Sequence, residues 1–186
     1  MNAARICYRT RQFWLNLGAA PSSHDLDEVR AVLNPEQYQL FARLQPGEQA
    51  HSLLVMRRLT AQGQTHPDLL AAALLHDIGK IRLPLRLWER VLVVLGKALF
   101  PARVKQWGSL AGDEWKILSG ARLPIGRRAF IIAEQHAVWG SQMAAGAGSS
   151  TLVVELIRRH QDRIPDHSHS YEDNLLRLLQ SVDDES

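Results

Sequence analysis

The sequence is poor in cysteine and in long apolar runs, and each shortage excludes certain classes of protein. The single cysteine, Cys7, excludes an internal disulfide framework and a multi-cysteine zinc site. Such sparse use of cysteine favours a reducing compartment, so we expect a cytoplasmic protein. No apolar run approaches the roughly 18 residues of a membrane-spanning helix, and the first residues lack the apolar core of a secretory signal.

A strong net charge and the alternating pattern of β-strands are also missing. Apolar residues make up 46% of the chain and charged residues 22%, which is ordinary for a soluble globular protein. The net charge of +3 is too small to indicate binding to nucleic acid, so we expect no nucleic-acid partner. With 186 residues, the chain can bury about 70% of its unfolded surface in a single core.

Most segments instead have helical spacing, in which apolar residues recur every three or four positions. Four prolines stand where a helix could begin, namely Pro35, Pro46, Pro67 and Pro101. The sequence therefore predicts an all-α, single-domain helical bundle of about 8–9 helices. The predicted helices span about 4–16, 24–33, 35–44, 47–62, 67–78, 84–99, 127–144, 150–161 and 171–183.

Within this bundle we expect residues 1–46 to form N-terminal helices that pack on a core domain at 47–186. An amphipathic helix at about 84–100 is expected as an insertion in that domain. Gly79 is predicted to form a left-handed cap after the helix at 67–78. The stretch 101–126 is broken by several glycines and gives no clear prediction.

The most informative motif is the run His76-Asp77-Ile78-Gly79-Lys80, which follows a segment made only of apolar residues. A charged group at the end of a buried helix is strongly disfavoured unless something pairs with it. Neutral imidazole nitrogen and carboxylate oxygen are both ligands of first-row metal ions. The doublet therefore predicts a pair of metal ligands and implies that further ligands come from elsewhere in the chain.

Four further residues of the right type lie on apolar helical faces: His51, His136, His160 and Asp183. Taken singly, such a His is more often a hydrogen-bonded core residue than a ligand. An Asp close to a chain terminus is more often solvated. The combination of these residues with the doublet is what indicates a metal site.

The order of these residues resembles the HD superfamily of metal-dependent phosphohydrolases, from about Glu48 to Asp183. The family pattern is a lone His, a His-Asp doublet and a late Asp, and its binuclear branch adds two His between doublet and late Asp. The resemblance implies that the first metal is held by His51, His76, Asp77 and Asp183. It further implies that Asp77 bridges to a second metal, which is bound by His136 and His160.

The resemblance also implies a reaction, the hydrolysis of a phosphomonoester or phosphodiester of a nucleotide-like small molecule. Two adjacent metals generate a hydroxide near neutral pH and bind the attacking and leaving oxygens. Asp77 and Lys80 are then the catalytic residues, with Lys80 in contact with a phosphate oxygen. The alternative for Lys80 is a cation that stabilises the end of a helix.

Mixed His and carboxylate ligation suits Mn, Fe, Co, Ni or Zn better than Mg or Ca. We therefore expect one or two divalent transition-metal ions, with Fe or Mn favoured.

Two departures from the family pattern argue against one class of substrate, the cyclic dinucleotides. In the subgroup that hydrolyses cyclic dinucleotides the late His is doubled, whereas here His160 is followed by Gln161. That subgroup also carries a Gly-Tyr-Pro signature, which is missing from the residues after Gln161. Cyclic di-GMP is therefore unsupported. An inactive signalling or binding module of the HD fold is an alternative function, and a di-iron oxygenase of that fold is a third.

The predicted helix at about 84–100 makes the segment between Lys80 and His136 longer than the family pattern requires. Arg86 and Arg90 lie four residues apart on its polar side. A basic amphipathic helix of this kind can lie on an anionic membrane surface, which would make the cytoplasmic protein membrane-associated. The alternative is that the helix packs on its own domain or on a second subunit of a homodimer.

Overall fold

The computed structural model describes residues 20–109 and 125–185. The helix predicted at about 4–16, Cys7 and most of the stretch 101–126 lie outside the described residues. The described part contains nine α-helices: α1 (Ser23–Val32), α2 (Pro35–Ala42), α3 (Pro46–Ala61), α4 (Pro67–Leu75), α5 (Leu87–Leu99), α6 (Pro101–Gly108), α7 (Ile125–Gly146), α8 (Thr151–Arg159) and α9 (Tyr171–Glu185). A short 3-10 helix, Ile78–Arg82, follows α4.

The predicted all-α bundle of 8–9 helices is confirmed, since the described residues contain helices and no strand. Helices α2, α3, α4 and α6 begin at the four prolines that the sequence indicated. Helix α1 begins with a capping box, in which the Asp25 backbone N–H donates to Ser22 Oγ at 3.3 Å and the Ser22 N–H donates to Asp25 Oδ2 at 2.7 Å. Helix α6 was not predicted.

The chain divides into two compact units. Unit 1 comprises the described residues of Met1–Ile81 and Ala137–Ser186, and unit 2 comprises those of Arg82–His136. Helices α1 and α2 therefore belong to the same unit as α3 and α4. Helix α7 runs without interruption through the boundary, and His136 is the last residue of unit 2.

Helix α4 forms the centre of unit 1. It packs against α1, α2, α3, α8 and α9. Three consecutive small residues, Ala71, Ala72 and Ala73, are buried within it, and Leu74 and Leu75 are completely buried. Small side chains allow neighbouring helix axes to approach closely, so α4 can be surrounded by other helices.

The chain turns sharply after α4, which corrects two predictions. The helix predicted at 67–78 ends at Leu75, and the following residues form a tight turn and then the 3-10 helix. The Lys80 N–H donates to Asp77 O at 3.0 Å, which closes this turn. Gly79 is not a left-handed cap, because the only described glycines with positive φ are Gly63 and Gly148. A 3-10 turn continues with negative φ and needs no such cap.

Unit 2 contains α5, α6 and the first part of α7. Helix α5 begins at Leu87 rather than at 84, and the buried Glu89 carboxylate accepts the Arg86 backbone N–H at 2.7 Å. The same carboxylate pairs with Arg128. A Cβ on Gly96 would lie 2.6 Å from Phe130 Cε1, so α5 and α7 approach closely at that glycine.

Within the described ranges, every helix is too short or too polar to cross a lipid bilayer.

Gly140 of α7 lies against the turn that carries the doublet. A Cβ at this position would lie 3.1 Å from Gly79 N and 3.3 Å from Ile157 Cγ2. Because a backbone atom cannot rotate away, we expect Gly140→Ala to lower the free energy of unfolding by about 1–3 kcal/mol, in spite of the better helix propensity of alanine. Urea denaturation measures this change.

Gly146 at the end of the same helix is the matched control, since a Cβ there would meet no atom within 4 Å. Gly146→Ala should raise the free energy of unfolding by up to about 1 kcal/mol. An equal increase in the free energy of unfolding in both variants would show that α7 does not pack tightly against the turn.

Candidate metal centre

Side chains from four helical segments of unit 1 meet at the C-terminal end of α4. His76 and Asp77 follow directly after that helix. His51 lies in the middle of α3, Asp183 lies in the last turn of α9, and His160 follows the last residue of α8. The structure therefore brings together five of the six predicted metal ligands within one unit.

The distances between the ligand atoms of these side chains are close to those between two ligands of one metal ion. Asp183 Oδ1 lies 2.9 Å from His51 Nε2 and 3.5 Å from His76 Nε2. Asp77 Oδ2 lies 3.6 Å from His76 Nε2. Two ligands, each about 2.1 Å from one ion at octahedral or tetrahedral angles, are separated by roughly 3.0–3.4 Å. The four side chains therefore need only small movements to bind one ion.

The backbone fixes which ring nitrogen of His76 and His160 faces the centre. His76 Nδ1 lies 2.9 Å from Ala73 O, and His160 Nδ1 lies 2.7 Å from Ile157 O. A carbonyl oxygen only accepts, so Nδ1 carries the hydrogen in both rings and donates it. Each neutral ring then presents the lone pair of Nε2. Metal-binding histidines are commonly oriented by such a hydrogen bond from their other nitrogen.

His76 Nε2 also shows that the residues fit a metal ion. The side chain is 1% exposed, and its Nε2 makes no hydrogen bond with any residue that the structure describes. A buried polar atom without a hydrogen bond lowers the stability of the folded state by about 1–3 kcal/mol. Two imidazole nitrogens and two carboxylates form a donor set that suits Mn, Fe, Co, Ni or Zn. A transition-metal ion would satisfy the nitrogen.

The electrostatic state of the centre is set by the His51–Asp183 pair. Burial lowers the pKa of His51, but the hydrogen bond to Asp183 and the negative charges of Asp183 and Asp77 outweigh this, so the pKa lies above its ordinary value of 6.5. Burial alone would raise the pKa of Asp183, yet the positive charge of His76 in its protonated form and the hydrogen bond with His51 hold that pKa well below its usual range. The pair therefore carries opposite charges at least between pH 3.8 and pH 6.5, the ordinary pKa values of the two groups.

Lys80 is held by two buried carboxylates, one of which the sequence did not single out. Lys80 Nζ donates to Asp77 Oδ2 at 2.5 Å and to Glu48 Oε2 at 3.2 Å. Glu48 is 5% exposed, although it belongs to a residue type that is rarely buried without a partner. It precedes His51 by three positions on α3, and this spacing puts both side chains on one helical face. That spacing is the sequence signal that could have identified Glu48.

His160 extends the centre beyond the first four ligands. Its ring centroid lies 5.3 Å from that of His76, and a ligand atom of His160 lies within 4.8 Å of one of Asp77. His136 donates from Nδ1 to Ile132 O at 3.0 Å and lies four residues before Gly140 on the same face of α7. The roles of His136 and His160 in a second metal site stay predictions.

A second group of potential ligands in unit 1, formed by His24, Asp25 and Glu28, is already paired with a cation. Arg57 donates to Asp25 Oδ1 at 2.5 Å and to Glu28 Oε1 at 2.7 Å. We interpret this group as a surface ion-pair network between α1 and α3, in which each exposed pair contributes about 0–1 kcal/mol.

Comparisons with known proteins gave no match to this chain, neither with a family model nor with a curated protein nor with a solved structure.

The raised pKa of His51 makes metal binding dependent on pH. The ring must lose its proton before Nε2 can bind an ion. We therefore expect the affinity for Mn²⁺ to rise by up to about tenfold per pH unit from pH 6.5 until the pH exceeds the raised pKa. Isothermal titration calorimetry across this range measures the affinity, and the use of two buffers measures the proton released.

The metal-free protein should show the opposite trend in stability. A group with a raised pKa contributes stability that is complete below pH 6.5 and is lost as the pH rises through the pKa of the folded state. Denaturation in the presence of a chelator should therefore show that the contribution of His51 to the free energy of unfolding decreases as the pH rises. Over the same pH range the metal affinity should increase. An affinity that does not change with pH would contradict a protonated His51.

Proposed function

We propose that the protein is a metal-dependent phosphohydrolase that cleaves a phosphomonoester or phosphodiester of a nucleotide-like small molecule. The observation that carries this proposal is the meeting of four buried or partly buried ligands at one point: His51, His76, Asp77 and Asp183. The measured distances of 2.9–3.6 Å between these ligand atoms are close to the spacings that one ion requires. Together with the resemblance of the sequence to the HD superfamily, this geometry supports a metal-dependent hydrolase.

Each side chain of the centre has a defined task in this proposal. His51, His76, Asp77 and Asp183 would hold the first ion, and the second site expected at His136 and His160 stays a prediction from the sequence. The carbonyls of Ala73 and Ile157 keep two of the rings in the binding tautomer. A bound ion lowers the pKa of a water ligand and polarises the phosphoryl oxygen. We propose Fe or Mn as the metal, from the mixed nitrogen and oxygen donor set.

Lys80 supplies a compact positive charge beside these ligands. We propose that its ammonium contacts a phosphate oxygen of the substrate, for which a Lys acts as a point charge. Glu48 gives the ammonium a second anchor, so the position of Lys80 does not depend on Asp77 alone. Glu48 is therefore a positioning residue and not a ligand of the substrate.

A module that binds nucleotides without hydrolysing them is the second candidate function. It is favoured by the 2.5 Å hydrogen bond from Lys80 Nζ to Asp77 Oδ2, because the ammonium competes with a metal ion for this carboxylate oxygen. Nucleotide binding without turnover, in protein that has been loaded with metal, would favour this candidate.

The proposed activity is tested with purified protein supplied with Mn²⁺ or Fe²⁺ and assayed on generic phosphomonoesters and phosphodiesters. His76→Ala should abolish turnover and reduce the metal content, because His76 contributes a ligand that the backbone has already oriented. His167→Ala is the matched control, since His167 is exposed and has no role in the centre. Metal analysis and product release are the two measurements.

Wild-type protein that neither binds metal nor turns over any phosphoester would contradict both the metal site and the reaction. Metal binding that His76→Ala removes, without turnover, would retain the site and favour the binding module.

A separate substitution tests the contact of Lys80 with phosphate. Lys80→Gln should lower kcat/KM by roughly 10²-fold while the bound metal is retained, because removal of one preorganised donor to a reacting oxyanion has about this effect. Lys105→Gln, an exposed change in unit 2, is the matched control. An unchanged kcat/KM in Lys80→Gln would restrict Lys80 to a structural role.

A further inference from the structure

Helix α5 exposes a continuous apolar face. Six large apolar side chains form this face, and their exposed fractions range from 40% at Val91 to 66% at Leu99. With about 100° between successive residues, they fall within roughly 140° of the helix circumference. We call this surface the α5 apolar face: Leu87, Trp88, Val91, Val94, Leu95 and Leu99. Single exposed apolar side chains are ordinary, but a contiguous patch of this kind marks an interaction surface.

Packing contacts on the opposite side of α5 determine which way this face points. Glu89 is buried and pairs with Arg128, and Gly96 lies against Phe130 and Val104. The contacts of Glu89 and Gly96 hold α5 within unit 2 on its other side. The α5 apolar face is therefore directed outward as a consequence of the packing.

The charge of unit 2 favours one class of partner. Residues 82–136 carry ten Lys and Arg against four Asp and Glu, a net charge of +6, whereas the whole chain carries only +3. Arg86, Arg90 and Lys97 lie at spacings of four and seven residues along one flank of the α5 apolar face. A basic flank beside an apolar face that contains Trp is typical of helices that lie in a membrane interface.

The same charge argues against pairing of this face with a second copy. A symmetric dimer through α5 would bring two strongly positive units together, and like charges across an interface oppose association. Anionic lipid headgroups would instead neutralise them. We therefore propose that unit 2 binds an anionic membrane surface. The α5 apolar face enters the boundary between headgroups and acyl chains, and Arg86, Arg90 and Lys97 contact lipid phosphates.

The proposal is tested by flotation of the full chain with phosphatidylcholine vesicles that contain or lack phosphatidylserine. We expect binding to the vesicles with phosphatidylserine and at least about tenfold weaker binding to those without it. Added salt should reduce the binding. The double variant Leu95→Ser/Leu99→Ser should lose at least about tenfold in partitioning, because two apolar side chains no longer enter the lipid. Arg86→Gln should lose roughly fivefold through the removal of one charge.

Matched controls come from exposed positions of unit 1. Tyr171→Ser removes an apolar side chain that is 57% exposed, and Arg43→Gln removes an exposed charge. Both should leave partitioning unchanged, and circular dichroism verifies that every variant is folded.

Three outcomes would overturn the proposal. The first is the lack of vesicle binding by the wild-type chain, and the second is binding that neither the double variant nor Arg86→Gln reduces. The third is a dimer in sedimentation velocity that Leu95→Ser/Leu99→Ser dissociates, since the face would then be the contact between two copies.

Discussion

The burial of an imidazole and a carboxylate at the end of an apolar helix is the constraint on which unit 1 depends. Helix α4 is surrounded by other helices, so the polar doublet that follows it is removed from water together with its apolar residues. Burial of such groups is costly unless partners are supplied. Those partners come from the neighbouring helices and from the turn itself: His51, Asp183, Lys80 and Glu48. The polar centre and the hydrophobic core are therefore two parts of one packing arrangement.

The partners also offset most of the charge of the centre, since two cations face three carboxylates. Lys80 pairs with two carboxylates, and the His51 ring pairs with a third, Asp183. Any cation that enters must compete with these internal pairs for the same oxygens and for the same ring nitrogen. Its affinity is then the difference between two sets of strong interactions, and small changes at Lys80 or His51 can alter it considerably.

The sequence contained most of the helices and the inward-facing ligands, because both follow from the helical period. His51, His160 and Asp183 share faces with apolar residues, and those faces are packed in the structure. Other features depend on packing between distant segments, which periodicity does not describe. The pairing of Glu48 with Lys80 is one, and the end of α4 at Leu75 rather than at residue 78 is another. For α5 the pattern predicted an amphipathic helix, but a pattern does not state what covers its apolar face.

The hydrogen bond between His51 and Asp183 joins residues that are 132 positions apart. During synthesis the His51 helix and the doublet leave the ribosome long before α9 does, and unit 2 is made in the interval. Contacts of such long separation form late, because a large loop must be closed before they contribute. We therefore expect the centre to be completed late in folding. Until α9 has been synthesised, Asp183 is missing as the partner of His51 and His76, so the doublet waits for its last carboxylate.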